Sequence, residues 1–201
     1  EDISGATRKF EVVKGAMTAL GLYAKLYQYS AAGSVLVFDD CDSVLMDDLA
    51  LNILKAALDS GKKRKIFWNA DSHRLRQEGI PDEFEFKGSA CFITNIKFEN
   101  VKSKRLQDHL EALQSRCHYL DLTLDTMRDK VLRIKQIART GKLFTGYKFT
   151  PEDEAEVLEF METNKHKFRE MSLRMVLKVS DLKKISKNWR VLAESTCMRR
   201  S

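Results

Sequence analysis

The run Val35-Leu36-Val37-Phe38, followed at once by Asp39-Asp40, constrains this chain more than any other stretch. Four consecutive apolar residues without alternation are the pattern of a strand buried on both faces. A strand of this kind that ends abruptly in two carboxylates sets negative charge at the carboxyl edge of a sheet, where α/β proteins bind ligands. Adjacent acids repel one another and are costly to bury, and a Mg²⁺ ion is one reason to place them together. The plain alternative is a strand running into an Asp-rich turn. A calcium-binding loop is excluded, because Val44 stands where an oxygen ligand is required.

The flanking sequence places this strand in an α/β setting. Val13, Ala16, Met17, Leu20, Tyr23, Ala24 and Tyr27 recur at helical spacing, and Gly33 breaks the pattern. After the acids a second helix is expected, with Asp47 and Asp48 at its positive end, Ala50, Ile53, Leu54, Ala57 and Leu58 on one face, and Gly61 as its stop. Lys65–Trp68 reads as a short strand, and the polar stretch to Gly88, with Pro81 in it, as a hairpin or loop. Ala90–Thr94 is a second buried-strand run ending in Asn95. Leu106, Leu110 and Leu113 mark a helix, and His118–Leu124 alternates as a strand does. From Asp125 onward the pattern is helical: Met127–Ala138, Pro151–Thr163, Ser172–Ile185 and Asn188–Cys197. Thr150-Pro151 supplies a capping hydroxyl and a proline at the first helical position. The expected organisation is therefore an α/β part over residues 1–124 and an all-helical part over residues 125–201.

Composition narrows the function classes. With 43% hydrophobic residues a buried core is expected and global disorder is not. The longest apolar runs, such as Ser89–Thr94, are too short to cross a bilayer, and the start of the chain has no signal-peptide pattern. The four cysteines show no metal-binding spacing, so reduced thiols and a cytoplasmic setting are expected. The first residue is Glu rather than Met, as expected of a processed chain or a piece of a longer reading frame. A net charge of +6 permits contact with nucleic acid. Its clusters, at Lys62–Lys65, Lys183–Lys187 and Arg199–Arg200, read equally as solvated helix ends and tails.

Three further residues carry chemistry only in combination with the two acids. Asn95, ending a neighbouring buried strand, has an amide that can orient water near a phosphate. Arg116, in Ser115-Arg116-Cys117, precedes a strand-like run and is placed to reach a phosphate across a subunit boundary. Arg174, in Ser172-Leu173-Arg174, lies in the first turn of an amphipathic helix. Taken singly, each is read as easily as a strand end or a surface arginine.

In order and spacing, the four motifs resemble those of the AAA+ superfamily. Val35–Asp40 resembles Walker B, Thr94-Asn95 resembles sensor 1, Ser115-Arg116-Cys117 is similar to the arginine-finger motif of clamp-loader subunits, and Ser172-Leu173-Arg174 resembles sensor 2 in a helical lid. The resemblance implies an α/β fold: a partial AAA+ P-loop NTPase core, a parallel sheet whose first strand is missing, followed by an all-helical lid. It implies ATP and Mg²⁺ as cofactors, with Asp39 holding the metal, Asp40 polarising water, Asn95 positioning it, Arg116 acting on a neighbour's nucleotide and Arg174 sensing nucleotide from the lid. Partners implied are homo- or hetero-oligomeric ring neighbours, and DNA or a remodelled protein, with no membrane. Clamp loaders point further to DNA replication or a phage-type remodelling role.

The sequence departs from the family in two places. Walker B usually ends Asp-Glu, and Asp40 is one methylene shorter than Glu. No GxxxxGK[ST] run exists in the 201 residues, since Gly141-Lys142 is followed by Leu143 and lacks the upstream glycine. Little or no ATPase activity is therefore expected of the chain as it stands. In the family order 5-1-4-3-2 the missing strand lies between the Ala90 and Tyr119 strands, and an edge strand is expected near Asp2–Ser4 or slightly later. Its loss leaves strand edges unpaired. Direct pairing of Ala90–Thr94 with His118–Leu124, or cover by another chain, is expected to relieve this. The alternative function is a non-catalytic AAA+-like module for nucleic-acid binding or assembly.

Overall fold

The computed structural model describes residues 9–199, so the strand position expected at Asp2–Ser4 lies outside the described residues. The chain divides into two compact units, the boundary falling between Leu120 and Asp121. No helix among the described residues is long and apolar enough to cross a membrane.

The first unit is α/β, built on a three-stranded parallel sheet. β1 (Phe10–Lys14), β2 (Val35–Asp39) and β5 (Ser89–Ile93) lie in the order β1-β2-β5. Parallel neighbours need crossovers, and helices provide them. α1 (Ala19–Gln28) returns the chain from β1 to β2, while α2 (Asp42–Leu45) and α3 (Asp48–Ala57) begin the longer return to β5. α5 (Lys104–Gln114) follows β5 and packs on α3. Each long helix starts at a side-chain cap: Thr18 accepts from Gly21 N, Asp47 from Ala50 N and Ser103 from Leu106 N.

Four expectations are corrected here. The helical spacing beginning at Val13 is overruled as far as Lys14, because Phe10–Lys14 forms the edge strand, in register with Val35–Asp39, and α1 starts only at Ala19. The second helix ends at Ala57 with Leu58 as its cap, three residues before Gly61. β2 is covered on one face only. Leu36 and Phe38 enter a core with Leu22, Leu26, Leu54 and Leu110, whereas Val35 and Val37 alternate with them and are half-buried. The exposed side chains of Phe10, Val12 and Ile93 belong to the same little-covered face. Finally, residues 118–124 form no strand. They are irregular and exposed, and the outer edge of β5 has no partner among the described residues. An alternating run becomes a strand only when a neighbouring strand pairs with it, and no strand among the described residues pairs with this one.

Between α3 and β5 the chain makes a small antiparallel ribbon, β3 (Lys65–Phe67) with β4 (Glu83–Glu85), enclosing the short helix α4 (His73–Gln77). Ile66, Leu75, Ile80 and Phe86 join the main core, so the ribbon is part of the unit and not a free loop. Arg64, from the first basic cluster, is a structural clip. Its guanidinium donates to the Ala57 carbonyl (3.2 Å) and the Gly88 carbonyl (2.9 Å) and lies over the Phe86 ring. A Cβ on Gly88 would come within 2.3 Å of the Tyr29 carbonyl oxygen, so only glycine fits this approach.

The second unit contains α6 (Met127–Arg139), α7 (Pro151–Thr163), α8 (Leu173–Ile185) and α9 (Trp189–Cys197). Thr150 and Asp153 form a reciprocal capping box ahead of α7, with Pro151 at its start. The core gathers Val157, Phe160, Met175, Val176, Trp189 and Ala193. Phe160 meets the edge of Trp189 at 4.9 Å and of Phe168 at 6.0 Å.

Candidate functional site

The chemistry-bearing residues of the first unit collect at the carboxyl edge of the parallel sheet. Phe38 and Phe92 are register partners whose rings stack at 5.0 Å, and they fix the ends of β2 and β5 side by side. Asp39 ends β2. The Asp40 N–H donates to the Ile93 carbonyl at 3.0 Å, which carries the ladder one step past the strand. Asp40 then adopts a positive φ of 54°, a left-handed conformation that Asp tolerates better than most residues. Its carboxylate accepts from the Asn95 side-chain amide, Nδ2 to Oδ1, at 3.2 Å.

Two neighbouring contacts were not legible in the sequence. Lys14 Nζ lies 2.6 Å from Asp39 Oδ2, because β1 and β2 are in register and Lys14 is the partner of Asp39. This carboxylate, bonded first and then attracted, holds the Lys14 ammonium above its usual pKa. Thr94 Oγ1 donates to Asp42 Oδ1 at 2.6 Å and accepts from Ile96 N at 3.0 Å, which ties the loop after β5 to the start of α2. Lys14 ends a short run with no motif, so only strand register reveals it. Thr94 was named with Asn95, but its contact with Asp42, 52 residues earlier, has no local signature.

Cys41, between the acids, is buried and its thiol donates to the Val13 carbonyl at 3.3 Å. Burial pushes this thiol up, so it stays protonated and is a packing group and not a nucleophile. Beside Asn95 an open depression of about 500 Å³ is lined by Met46, Ile96, Lys97, Lys102 and Leu106.

Could these residues hold the group the resemblance implies? No cluster of three or more His, Cys, Asp or Glu side chains suited to a metal ion occurs among the described residues. Mg²⁺, however, is commonly bound by one or two carboxylates together with substrate phosphates and water. Asp39 and Asp40, solvent-accessible at a sheet edge, fit that partial role.

Of the two arginines, Arg116 lies elsewhere in the first unit and Arg174 belongs to the second. α3 and α5 both start near the carboxyl edge and run back, so Arg116, after α5, sits at the opposite end of the unit from Asp39. There its guanidinium donates to the Ala112 carbonyl at 2.6 Å and stands 3.9 Å from Asp59, just past α3. Arg174 is exposed in the first turn of α8, in the second unit, where Ser172 caps the helix by accepting from Met175 N at 3.1 Å. The structure thus brings together Asp39, Asp40 and Asn95 and leaves Arg116 outside that cluster, while Arg174 belongs to the second unit.

A protein of Enterobacteria phage T4, described as an uncharacterized 36.7 kDa protein in the nrdC-mobD intergenic region, is similar to this chain. The two are 35% identical over 188 residues, a match covering 92% of this chain and 58% of the phage protein. The chain therefore spans little more than half the length of that relative. No family model matches the chain, and no solved structure matches it.

Proposed function

We propose that this chain is the part of an AAA+ ATPase that follows the phosphate-binding loop, and that its sheet edge serves Mg²⁺–ATP when the rest of the nucleotide site is supplied. One observation carries the reading. Asp39-Asp40 ends the middle strand of a parallel sheet, and the Asn95 amide reaches Asp40 from the next strand at 3.2 Å. In this reading Asp39 holds the metal through water, which requires Lys14 to yield the position it takes beside that carboxylate. Asp40 polarises the attacking water and Asn95 orients it. Arg116, at the other end of the unit from Asp39 and Asp40, suits a role at a neighbour's nucleotide, and Arg174 reads nucleotide from the lid. The edge of β5, unpartnered among the described residues, and the little-covered face carrying Phe10, Val12 and Ile93 support the reading, since a missing strand and helix would leave such surfaces bare.

The test exploits the weakness of a partial site. Millimolar Mn²⁺–ATP is expected to broaden the amide resonances of Asp40, Cys41 and Asn95 before others, and the Asp39→Asn variant is expected to lose that selectivity. Broadening that is scattered over surface carboxylates, or unchanged in the variant, overturns the assignment. Turnover by this chain alone is not expected.

The second reading, a nucleic-acid-binding or assembly module, draws on charge distribution. The first 120 residues hold 17 Lys and Arg against 17 Asp and Glu, and the remaining 81 hold 18 against 12. The whole net charge of +6 therefore belongs to the second unit.

A further inference from the structure

The excess charge of the second unit has a local focus. An open cleft of about 580 Å³ lies between the turn joining α8 to α9 and the loop before α7. Its walls combine the cations Lys183, Lys184, Lys187 and Arg190 with the rings of Tyr147 and Phe149, and two acids, Asp153 and Glu156, also line it.

The acids are already committed. Lys183, its side chain only 9% exposed, is held by Asp153 at 3.0 Å and by Glu156, and Glu156 also takes Arg190. Asp153 is further bound in the capping box with Thr150. Lys183 and Arg190 both lie against the Trp189 ring, which is buried, so this group is a structural base under the cleft. Lys184 and Lys187 remain, both exposed and without an ion-pair partner among the described residues.

The aromatic wall is fixed in place. Tyr147 and Phe149 are half-buried with ring centroids 5.2 Å apart, and Lys184 lies 6.0 Å over the Tyr147 ring. The Tyr147 hydroxyl is held 2.9 Å from Asp181 Oδ1. Between the two aromatics Lys148 has a positive φ of 54°. Flat, pre-positioned rings next to cations that no carboxylate holds match unpaired bases and the phosphates that join them. Base stacking on an aromatic ring contributes about 1–3 kcal/mol, and phosphate neutralisation makes such binding salt-dependent. A duplex offers no unstacked base to these rings, and an acidic peptide makes no use of them.

We propose that this cleft binds a single-stranded nucleic acid, with Lys184 and Lys187 on the phosphates and Tyr147 and Phe149 against the bases. The proposal goes beyond the ATPase reading and does not depend on it.

The experiment is fluorescence anisotropy of labelled oligo(dT), about 20 nucleotides long, with the whole chain and with neither nucleotide nor Mg²⁺ present. The expected affinity falls about tenfold between roughly 50 and 200 mM salt. Reversing both free charges, Lys184→Glu with Lys187→Glu, is expected to weaken binding at least tenfold. Phe149→Leu, which keeps most of the packing volume, is expected to weaken it about fivefold or more. Lys55→Glu, in the first unit, serves as a control expected to bind as the parent does. Circular dichroism confirms that each variant is folded, and the exposed lysines make the double variant the safest probe. Undiminished binding by the double variant, tighter binding to duplex, displacement by polyglutamate at equal charge, or no binding at low salt each overturns the proposal. Because the assay omits nucleotide, a failed Mn²⁺–ATP test leaves it untouched, and the converse also holds.

Discussion

Tyr23 joins pieces of the first unit that are far apart in sequence. Its ring is fully buried between Trp68 and Phe84, and its hydroxyl donates to the Pro81 carbonyl at 2.8 Å. Burial, with Asp82 and Glu83 nearby, pushes this phenol up to about 12 from an ordinary value of 10.0. Between those values the folded chain keeps a proton that the unfolded chain has lost. The contribution is fully present below pH 10 and is lost as pH rises toward 12. Tyr23→Phe is expected to lose about 1 kcal/mol near neutral pH, through the lost hydrogen bond, and to show a shallower alkaline decline than the parent. Urea melts at several pH values followed by circular dichroism check both; an identical alkaline slope in the variant would show that Tyr23 does not govern it. Legibility at this scale follows what a sequence encodes. Asp39, Asp40 and Asn95 could be named because an apolar run announces where a strand ends. Lys14 could not, because its place beside Asp39 depends on a strand register that no local pattern records.

Elements were readable where local signals sufficed. The helices of the second unit announce themselves through period and caps, and α7 spans Pro151–Thr163 as its Thr150-Pro151 start indicates. Strands were readable where an apolar run marks them, as at β2 and β5, and not where the local pattern points equally to another element. Val13 fits a helical period equally well, and only pairing with β2 makes it a strand residue. The same logic makes Gly88 critical, since it lets β5 start against the Tyr29 carbonyl. Gly88→Ala is expected to cost about 1–3 kcal/mol through forced backbone displacement, measured as a shift in the urea midpoint at unchanged slope. In the second unit, Lys183 links α7 to α8. Its partners outweigh the desolvation that opposes its charge, and its pKa is raised. Correspondingly Glu156, through Lys183 first, and Asp153, through the Thr150 backbone first and then Lys183, are lowered. Depressed carboxylates add stability that is present above their unfolded values, near 4, and is lost as pH falls below them. Lys183→Met is expected to destabilise α7–α8 packing by about 1–2 kcal/mol at pH 7, between an exposed and a fully buried pair. It is also expected to weaken the loss of stability on acidification. Thermal melts at pH 7 and pH 3 test this, and an equal acid loss in parent and variant would remove Lys183 from the account.

At the scale of the whole chain, the segment that carries it from one unit to the other is the element the fold leaves unfinished. Leu120 and Leu122 are 79% and 83% exposed, Tyr119 is also exposed, and no regular structure runs from Cys117 to Asp125. The outer edge of β5 lacks a partner among the described residues. An apolar, alternating run left in solvent costs free energy in proportion to its exposed area, and local opening there requires no disruption of either core. Chymotrypsin is therefore expected to cut first at Tyr119, Leu120 or Leu122 and to leave two resistant fragments, one for each hydrophobic core. Mass spectrometry of the early products decides the point. First cuts within α7, α8 or β2, or fragments degraded as fast as they form, would show that the two units do not hold together separately. The ATPase reading adds a condition to this outcome. If the phosphate-loop strand of the AAA+ arrangement enters beside β5, residues 119–124 gain the neighbour that their alternation lacks, and Leu120 and Leu122 become protected. Cleavage of this chain at that segment, set against its protection in a longer protein that supplies the strand, would separate a run awaiting its partner from a permanent linker.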